Sequence, residues 1–231
     1  MRNDHRTETL PSLSEQVLQV LKEAIVSLQL EPGAPISETY LTEWLRASRT
    51  PIRQALKQLE SEGLALSLPQ RGTFVTKLRQ KELRDAAVMR RLLENWALLE
   101  MQRIGESPDL DRLNALLEHQ QAAVEERSYY RFLHWDTEFH KEILRAAHNG
   151  KLLELYEHVN VTILRVRAWM IQSLPQALGT SLAEHRTMFQ VIRERQWDQL
   201  SQLMLGSADE FLLGVTNMAA AHPEYFEETP T

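Results

Sequence analysis

The 231-residue chain contains no cysteine and no apolar run near the roughly 20 residues that a membrane-spanning helix needs. The absence of cysteine excludes disulfides and thiolate metal ligands, and it is typical of proteins from a reducing compartment such as the cytoplasm. The polar N-terminus, MRNDHRTETLPS, lacks the apolar core of a signal peptide. We therefore expect a cytoplasmic protein without membrane association, and the length allows one large or two medium-sized domains.

Acidic side chains outnumber basic ones, and the formal net charge is −6. A surplus of negative charge is unfavourable for nucleic-acid binding, but this charge is unevenly distributed. Up to Arg79 the chain has ten Lys and Arg against nine Asp and Glu; the remainder has 16 against 23, together with seven of the eight histidines. This asymmetry indicates a locally basic N-terminal domain followed by an acidic second domain.

Residues 48–63 have the pattern of a short helix with one apolar and one basic face. Thr50 is suited to cap this helix, Pro51 to its first position and Gly63 to a left-handed residue after its last turn. Between Glu43 and Glu60 the chain has no acidic residue, and the basic residues there are Arg46, Arg49, Arg53 and Lys57. Such a helix can enter a major groove, with cations on phosphates and N-terminal polar residues at base edges. A solvated basic face on an ordinary surface helix is the alternative for this element alone.

The flanking segments predict a DNA-binding fold around the basic helix. Helical periodicity over 14–29 and a second helix capped by Ser37 precede it at the spacing of a helix-turn-helix. After it the period changes to two, which predicts two short strands within 64–76. The hairpin between these strands is a wing with Arg71 and Gly72 at its tip. Gly allows close approach to the sugar-phosphate backbone, and Arg can reach a phosphate or the minor groove.

Residues 12–76 resemble the GntR family of bacterial transcription regulators. The matching stretches are LEPG with ISE within 30–38, SRTPIRQAL at 48–56, LESEGL at 59–64 and QRGTFV at 70–75. The resemblance implies a winged helix-turn-helix domain in which Arg49, Thr50 and Arg53 contact operator DNA. It also places Arg71 and Gly72 at a DNA-contacting wing.

Two positions depart from the family pattern. Thr39 stands where the family often has Arg, which removes one phosphate or base contact. Arg46-Ala47 replaces the usual Gly-Val and adds a cation at the turn. Both departures indicate an altered operator sequence rather than loss of DNA binding.

Six helical stripes follow the wing, with no strand-like alternation between them. They are predicted over about 80–104, from Asp109, from Ser128 to His148, over 151–172, from Thr180 or Ser181 to Arg195, and from Asp198 to Met218. The short loops predict an antiparallel bundle of six or seven helices. The fold class is therefore mainly α with a two-stranded wing. Its parts are a flexible arm at 1–11, a winged helix-turn-helix domain at 12–78, a helical domain at 79–220 and a loose tail at 221–231.

Potential metal ligands lie in the third and fifth of these helices. Asp136 and His140 are four residues apart, hence on one helical face, beside an apolar stripe that directs them inward. A buried carboxylate and imidazole are costly unless they are paired or bound to a metal. Together with His185 from a facing helix they could hold Zn, Ni or Mn. A hydrogen-bonded Asp–His pair with a solvated His185 is the alternative.

Residues 80–218 resemble the FCD-type ligand-binding domain of the FadR-type subgroup of GntR regulators. The matching stretches are MRRLLE at 89–94, DTEFH at 136–140, AHN at 147–149 and EHR at 184–186. The resemblance implies that Asp136, His140 and His185 bind a divalent metal. Its fourth ligand position falls at Ser207, which is not a histidine. The resemblance also implies that Arg90 faces the effector.

Arg90 lies on the apolar stripe of the first bundle helix, where an unpaired guanidinium would be costly. Its fork of donors suits a carboxylate, so we expect a small organic acid as the effector. The alternative is an internal salt bridge to Glu94, one turn on, which we also assign to this site. Of Arg165 and Arg167 in the fourth bundle helix, we expect one to point inward and one to be solvated, and we include Arg165 among the effector-binding residues.

These features predict a transcription repressor, not an enzyme, that binds operator DNA as a homodimer and responds to a small carboxylate metabolite. The first and fourth bundle helices are the expected dimer interface. Two alternatives stay open. A metal-dependent hydrolase could use the Asp136 cluster, with Glu138 or Glu184 as the general base. A DNA-binding protein whose helical domain only dimerises would show no response to small molecules.

Overall fold

The computed structural model of the protein describes residues 11–174 and 176–227. The elements of the first domain are α1 (Leu13–Val26), β1 (Pro35–Ile36), α2 (Glu38–Trp44), α3 (Arg49–Ser61), β2 (Ala65–Leu68) and β3 (Gly72–Val75). Two caps fix the starts of the first two helices. Ser12 and Glu15 form a reciprocal capping box at α1, and the Ser37 side chain accepts from the Tyr40 amide at α2.

Helix α3 ends as its sequence predicts and begins two residues earlier, at Arg49 instead of Pro51. Gly63 follows the last turn with φ +72°, and the Leu64 amide donates to the Leu59 carbonyl at 2.8 Å. Ser48, not Thr50, is the residue before the helix, and it makes no side-chain capping bond. The apolar face packs on α1 in a core that contains Leu21, Ile25, Ile52, Leu56 and Leu59.

The predicted wing is confirmed as an antiparallel hairpin of β2 and β3, with Leu66 opposite Phe74 and Leu68 opposite Gly72. Gly72 has φ +96°, a conformation that a side chain would strain. A third strand was not predicted: β1 pairs with β3 through Pro35 and Ile36, in the order β1-β3-β2. A strand of two residues is too short to show an alternating pattern.

The second domain contains the six predicted helices. They are α4 (Gln80–Ile104), α5 (Leu110–Glu125), α6 (Tyr129–Arg145), α7 (Gly150–Ser173), α8 (Ala177–Arg193) and α9 (Trp197–Ala221). Their largest core cluster includes Phe132, Phe139 and Tyr156. Among the described residues, no helix is both long and apolar enough to cross a membrane.

Two helix starts differ from the sequence prediction. Helix α8 begins at Ala177, before the predicted caps Thr180 and Ser181, because Leu178 is buried and holds this first turn against the bundle. Helix α9 begins at Trp197, with Asp198 in its first turn, where a carboxylate interacts favourably with the free amides of the helix start.

The segment after α9 is ordered, so the predicted loose tail is wrong for residues up to 227. A short 3-10 helix, Pro223–Tyr225, leads into Phe226, which forms a parallel bridge with Leu78. Tyr225 and Phe226 are buried, and their apolar surface stabilises this placement. Residues 1–10 of the predicted arm and 228–231 of the predicted tail lie outside the described residues.

Candidate functional site

The first site is the basic surface of α3 and the wing. All seven residues assigned to it from the sequence are exposed: Arg46, Arg49, Thr50, Arg53, Lys57, Arg71 and Gly72. The apolar stripe of α3 holds the helix on α1, so its basic face is directed to solvent. Arg49 and Thr50 lie in the first turn of α3, the part of a recognition helix that reaches base edges.

Arg53 differs from the other cations of this surface. Its Nε donates to both carboxylate oxygens of Glu38 in α2, at 3.1 and 2.9 Å. Among the described residues, Arg46, Arg49, Lys57 and Arg71 form no such ion pair. These four cations are therefore available to bind an anion. Arg53 would have to give up the Glu38 carboxylate before it could bind one.

The second site is a cavity of about 580 Å³ lined by residues of α4, α6, α7, α8 and α9. Its lining is predominantly apolar, including Ile163, Met204 and Phe211. A few polar side chains converge on one wall, namely Arg90, Glu94, His140, Arg167 and His185. This volume and this mixture are typical of a small-molecule site.

Two buried ion pairs hold the guanidinium groups of this wall. Arg167 donates from Nη1 to Asp136 Oδ2 at 2.5 Å and from Nη2 to Oδ1 at 2.6 Å. Arg90 donates from Nε to Glu94 Oε1 at 2.8 Å and stacks over the Tyr156 ring, 5.4 Å from its centroid. The salt bridge to Glu94 that the sequence left as an alternative is therefore present, and both partners line the cavity.

Asp136 is the most enclosed of these groups, with no exposed side-chain surface. Burial raises the pKa of its carboxyl, but the charge of Arg167 and the nearby His185 and His140 outweigh burial and hold that pKa well below its usual range. Asp136 is therefore ionised at neutral pH, and Arg167 is its counter-ion.

The two histidines are neutral at pH 7. Burial is the main cause, and it lowers the pKa of His185 to about 4 and the pKa of His140 well below its usual value. His185 Nδ1 lies 2.7 Å from Gln120 Oε1, so the ring is best assigned with its proton there. Its Nε2 then offers a lone pair 3.4 Å from Asp136 Oδ1.

Asp136, His140 and His185 fit a divalent metal as a three-ligand set. One ligand atom from each lies within 4.8 Å of the others. His140 Nδ1 is buried without a hydrogen bond, although Glu94 Oε1 lies 3.4 Å from it, and Gln120 orients His185 as an outer-shell partner orients a ligating imidazole. Ser207 lines the cavity at the predicted fourth position, but its hydroxyl donates to the Leu203 carbonyl. The set would leave coordination positions open to water or a ligand.

Arg165 was assigned to the effector site and lies outside the cavity. It is buried where the two domains meet, and it donates to the Thr76 carbonyl. Burial lowers its pKa to about 10. Arg167, two positions on, faces the cavity instead, because residues two apart lie on nearly opposite sides of a helix. Neither arginine is solvated, contrary to the expectation from sequence.

Two functional contacts were not predicted from the sequence. Arg167 was not recognised as the partner of Asp136, because nothing in either helix specifies which face of α7 meets α6. Gln120 was not recognised as the partner of His185, since a glutamine in a helical pattern carries no signal of its own.

A basic recognition helix with a wing, joined to a helical domain that encloses a ligand-sized cavity, defines a DNA-binding transcription regulator. The comparisons with known proteins agree with this class. The pattern of bacterial regulatory proteins of the gntR family matches residues 13–75, and the FCD domain matches residues 85–208. The chain belongs to the GntR family, in the group whose second domain is an FCD domain. It is a transcriptional regulator, which sets aside the alternative of a metal-dependent hydrolase.

The matches to relatives and solved structures extend over both domains, with coverage from about two thirds of the chain to more than nine tenths. The HTH-type transcriptional repressor RspR of Escherichia coli (strain K12) is 25% identical over 94% of this chain and 94% of its own. The gluconate operon transcriptional repressor of Bacillus subtilis is 28% identical over 64% of this chain and 60% of its own. A GntR regulator from Rhodococcus sp. RHA1 has the same fold, with a TM-score of 0.72, 18% identity and coverage of 90% and 99%.

Proposed function

We propose that this protein is a repressor that binds its operator as a homodimer and changes its DNA affinity when a small organic acid enters the cavity. A divalent metal on Asp136, His140 and His185 belongs to the same proposal. The observation that carries it is the combination of an exposed basic α3 face with a cavity that holds two guanidinium groups. The first feature suits phosphate, and the second suits a carboxylate.

In the proposed DNA complex, α3 lies in the major groove with its first turn at the base edges. Arg49 and Thr50 are placed to contact bases, and Lys57 to contact phosphate. The wing brings Arg71 to the adjacent backbone or minor groove, where Gly72 leaves room for close approach. Arg53 would have to leave the carboxylate of Glu38 before it could contact a phosphate or a base, so this ion pair opposes DNA contact by Arg53.

The proposed dimer interface is an apolar stripe on α4. Its large residues Val88, Leu92, Trp96 and Leu99 are 46, 55, 42 and 57% exposed, and their spacing places them on one helical face about 17 Å long. On α7, Leu155 is exposed in the same way. A continuous apolar row of this length on a surface indicates a covered interface. A second copy of the chain is the occupant we propose, because one winged helix reads only one half-site of an operator.

The effector would occupy the cavity beside Arg90 and Arg167. A volume of about 580 Å³ admits a small metabolite and excludes a larger polymer. When bound, a metal would polarise the acid and supply positive charge at the wall. The residues of the chain would orient the acid, since guanidinium forks bind carboxylates in a fixed plane.

The contacts between the domains support a link from cavity to DNA-binding surface. Phe211 of α9 lines the cavity and packs in the same cluster as Leu78, Tyr225 and Phe226. Leu78 belongs to the segment that joins β3 to α4, and its amide donates to the Tyr225 carbonyl at 2.8 Å. A ligand that moved α9 would therefore move the segment that carries the wing.

The test is a footprint of the purified protein on the DNA upstream of its own gene. We expect protection of two half-sites related by a dyad and separated by about one helical turn or a multiple of it. Arg49→Ala should weaken this binding by roughly 1–3 kcal/mol if the side chain contacts a base. The matched control is Arg193→Ala, an exposed arginine of α8, which should bind as the wild type does. Equal binding by the Arg49 and Arg193 variants would refute the assigned surface.

A further inference from the structure

The buried guanidinium groups of the cavity already have partners before any ligand enters, and the exposed Arg91 and the carboxylates of Glu184 and Glu210 also line the cavity. Arg90 is paired with Glu94, and Arg167 is paired with Asp136. Among the described side chains, both guanidinium groups of this buried wall therefore have a counter-ion. At this buried wall an entering carboxylate would therefore be desolvated without gaining a free cation, which makes binding there unfavourable.

The two guanidinium groups differ in how firmly they are held. Arg90 donates to Glu94 and to Asn160 and stacks on Tyr156. Arg167 has hydrogen bonds to Asp136 alone among the described residues. Its side chain is 17% exposed, whereas that of Asp136 is fully buried. If Asp136 were lost as its partner, the Arg167 guanidinium would therefore be free to face the cavity.

Asp136 is also the one carboxylate of the candidate metal set. Both of its oxygens accept from Arg167, so the same carboxylate cannot fully serve that guanidinium and a metal ion. A cation at Asp136, His140 and His185 would repel the adjacent guanidinium as well. Metal and Arg167 therefore compete for Asp136.

We propose that Arg167 is an exchangeable counter-ion that couples the two ligands of the cavity. A divalent metal that takes Asp136 releases Arg167, and the released guanidinium binds the carboxylate of the effector. Each ligand then raises the affinity for the other, as linkage requires. This inference deepens the proposed function and rests on it. It also defines the effector class as an acid whose carboxylate reaches Arg167.

The first test measures the Zn²⁺ affinity by competition with a chromophoric chelator, with and without acetate as the probe acid. For the wild type we expect acetate to tighten Zn²⁺ binding by about tenfold, within the usual range of coupling between sites. Acetamide, which has the same shape without the charge, should have no effect. Arg167→Gln should bind Zn²⁺ more tightly than the wild type without acetate, and acetate should change its affinity less than twofold.

Arg167→Gln leaves a buried carboxylate unpaired and can fail to fold, so a second variant tests the same claim. Asp136→Asn removes the metal ligand and the counter-ion together. It should lose Zn²⁺ binding, yet bind acetate without metal about tenfold more tightly than the metal-free wild type. Calorimetric titration in the presence of a chelator measures this directly. Arg193→Gln is the control for both titrations.

Three results would overturn the proposal. They are an acetate effect on Zn²⁺ affinity that persists in Arg167→Gln, no acetate effect in the wild type, or no gain of acetate binding in Asp136→Asn. The proposed function is tested separately by operator affinity. An acid that releases operator DNA equally from the wild type and from Arg167→Gln would leave the proposed function standing and remove the exchange. Coupling of Zn²⁺ and acetate without any change in operator affinity would support the exchange and contradict the proposed function.

Discussion

Replacing Arg167 by glutamine should destabilise the helical domain strongly when no metal is present. Asp136 has no exposed surface and accepts from both Nη atoms of Arg167. Removing one partner of a buried ion pair typically costs about 3–5 kcal/mol, because the other charge is left without compensation. Since each kcal/mol lowers the Tm of a domain this size by about 2–4 °C, we expect a loss of roughly 6–20 °C.

The effect of this change should depend on pH with a defined sign. In the wild type the pKa of Asp136 is held below its unfolded value, so its contribution to stability is present above about pH 4 and is lost as pH falls further. Without Arg167, burial becomes the dominant influence and raises the pKa of Asp136 instead. Protonation then relieves the unpaired charge. The difference in stability between variant and wild type should therefore be largest near pH 7 and shrink as pH falls toward about 4.

The measurement is thermal and urea unfolding of both proteins in a buffer that contains a chelator, at several pH values. The matched control is Arg103→Gln, which breaks the exposed pair with Glu100 and should cost at most about 1 kcal/mol. If Arg167→Gln and Arg103→Gln melt at the same temperature near pH 7, the pair with Asp136 does not have the role assigned to it.

Three further predictions concern the other surfaces. Glu38→Gln frees Arg53 and removes a negative charge near the phosphates, so DNA binding should tighten by about 0.5–1 kcal/mol in low salt and change little in high salt. Fluorescence anisotropy measures this affinity, and an unchanged value in low salt would contradict the proposed exchange of Glu38 for DNA. Leu92→Glu places a charge in the apolar stripe of α4 and should yield monomers in light scattering, whereas Glu118→Gln on exposed α5 should not; a dimeric Leu92 variant would exclude this interface. Phe226→Ala should lower unfolding stability by about 3–5 kcal/mol through loss of buried contacts with the cluster of Leu78, and a loss below 1 kcal/mol would mean that the C-terminal segment does not hold the interdomain segment.

Local patterns predicted most of the elements because their causes are local. The stripe of Ile52, Leu56 and Leu59 and the glycine after it define α3 within a few residues of chain. Asp136 and His140 could be placed together for the same reason, since four residues of helix fix their separation. The six bundle helices followed from similar stripes, although the starts of α8 and α9 were displaced by a few residues.

The remaining features depend on contacts between distant parts of the chain. Phe226 is buried because Leu78, 148 residues earlier, lies beside it, and a polar sequence around it gives no sign of that contact. The choice between Arg165 and Arg167 depends on how α7 is rotated against α6 and the wing domain. Strand β1 exists only because β3 offers it a paired edge. Each of these three features depends on tertiary packing, which the periodicity of the sequence does not predict.

The central claim is that ligand binding in the cavity changes how the basic helices engage DNA. Its most direct test is the affinity of the purified protein for its footprinted operator, titrated by fluorescence anisotropy with Zn²⁺ alone, with candidate organic acids alone and with both together. We expect one acid to shift the operator Kd at least fivefold, Zn²⁺ to increase the shift, and Arg167→Gln to abolish this increase. Operator affinity that stays constant across all acids and both metal conditions would contradict it.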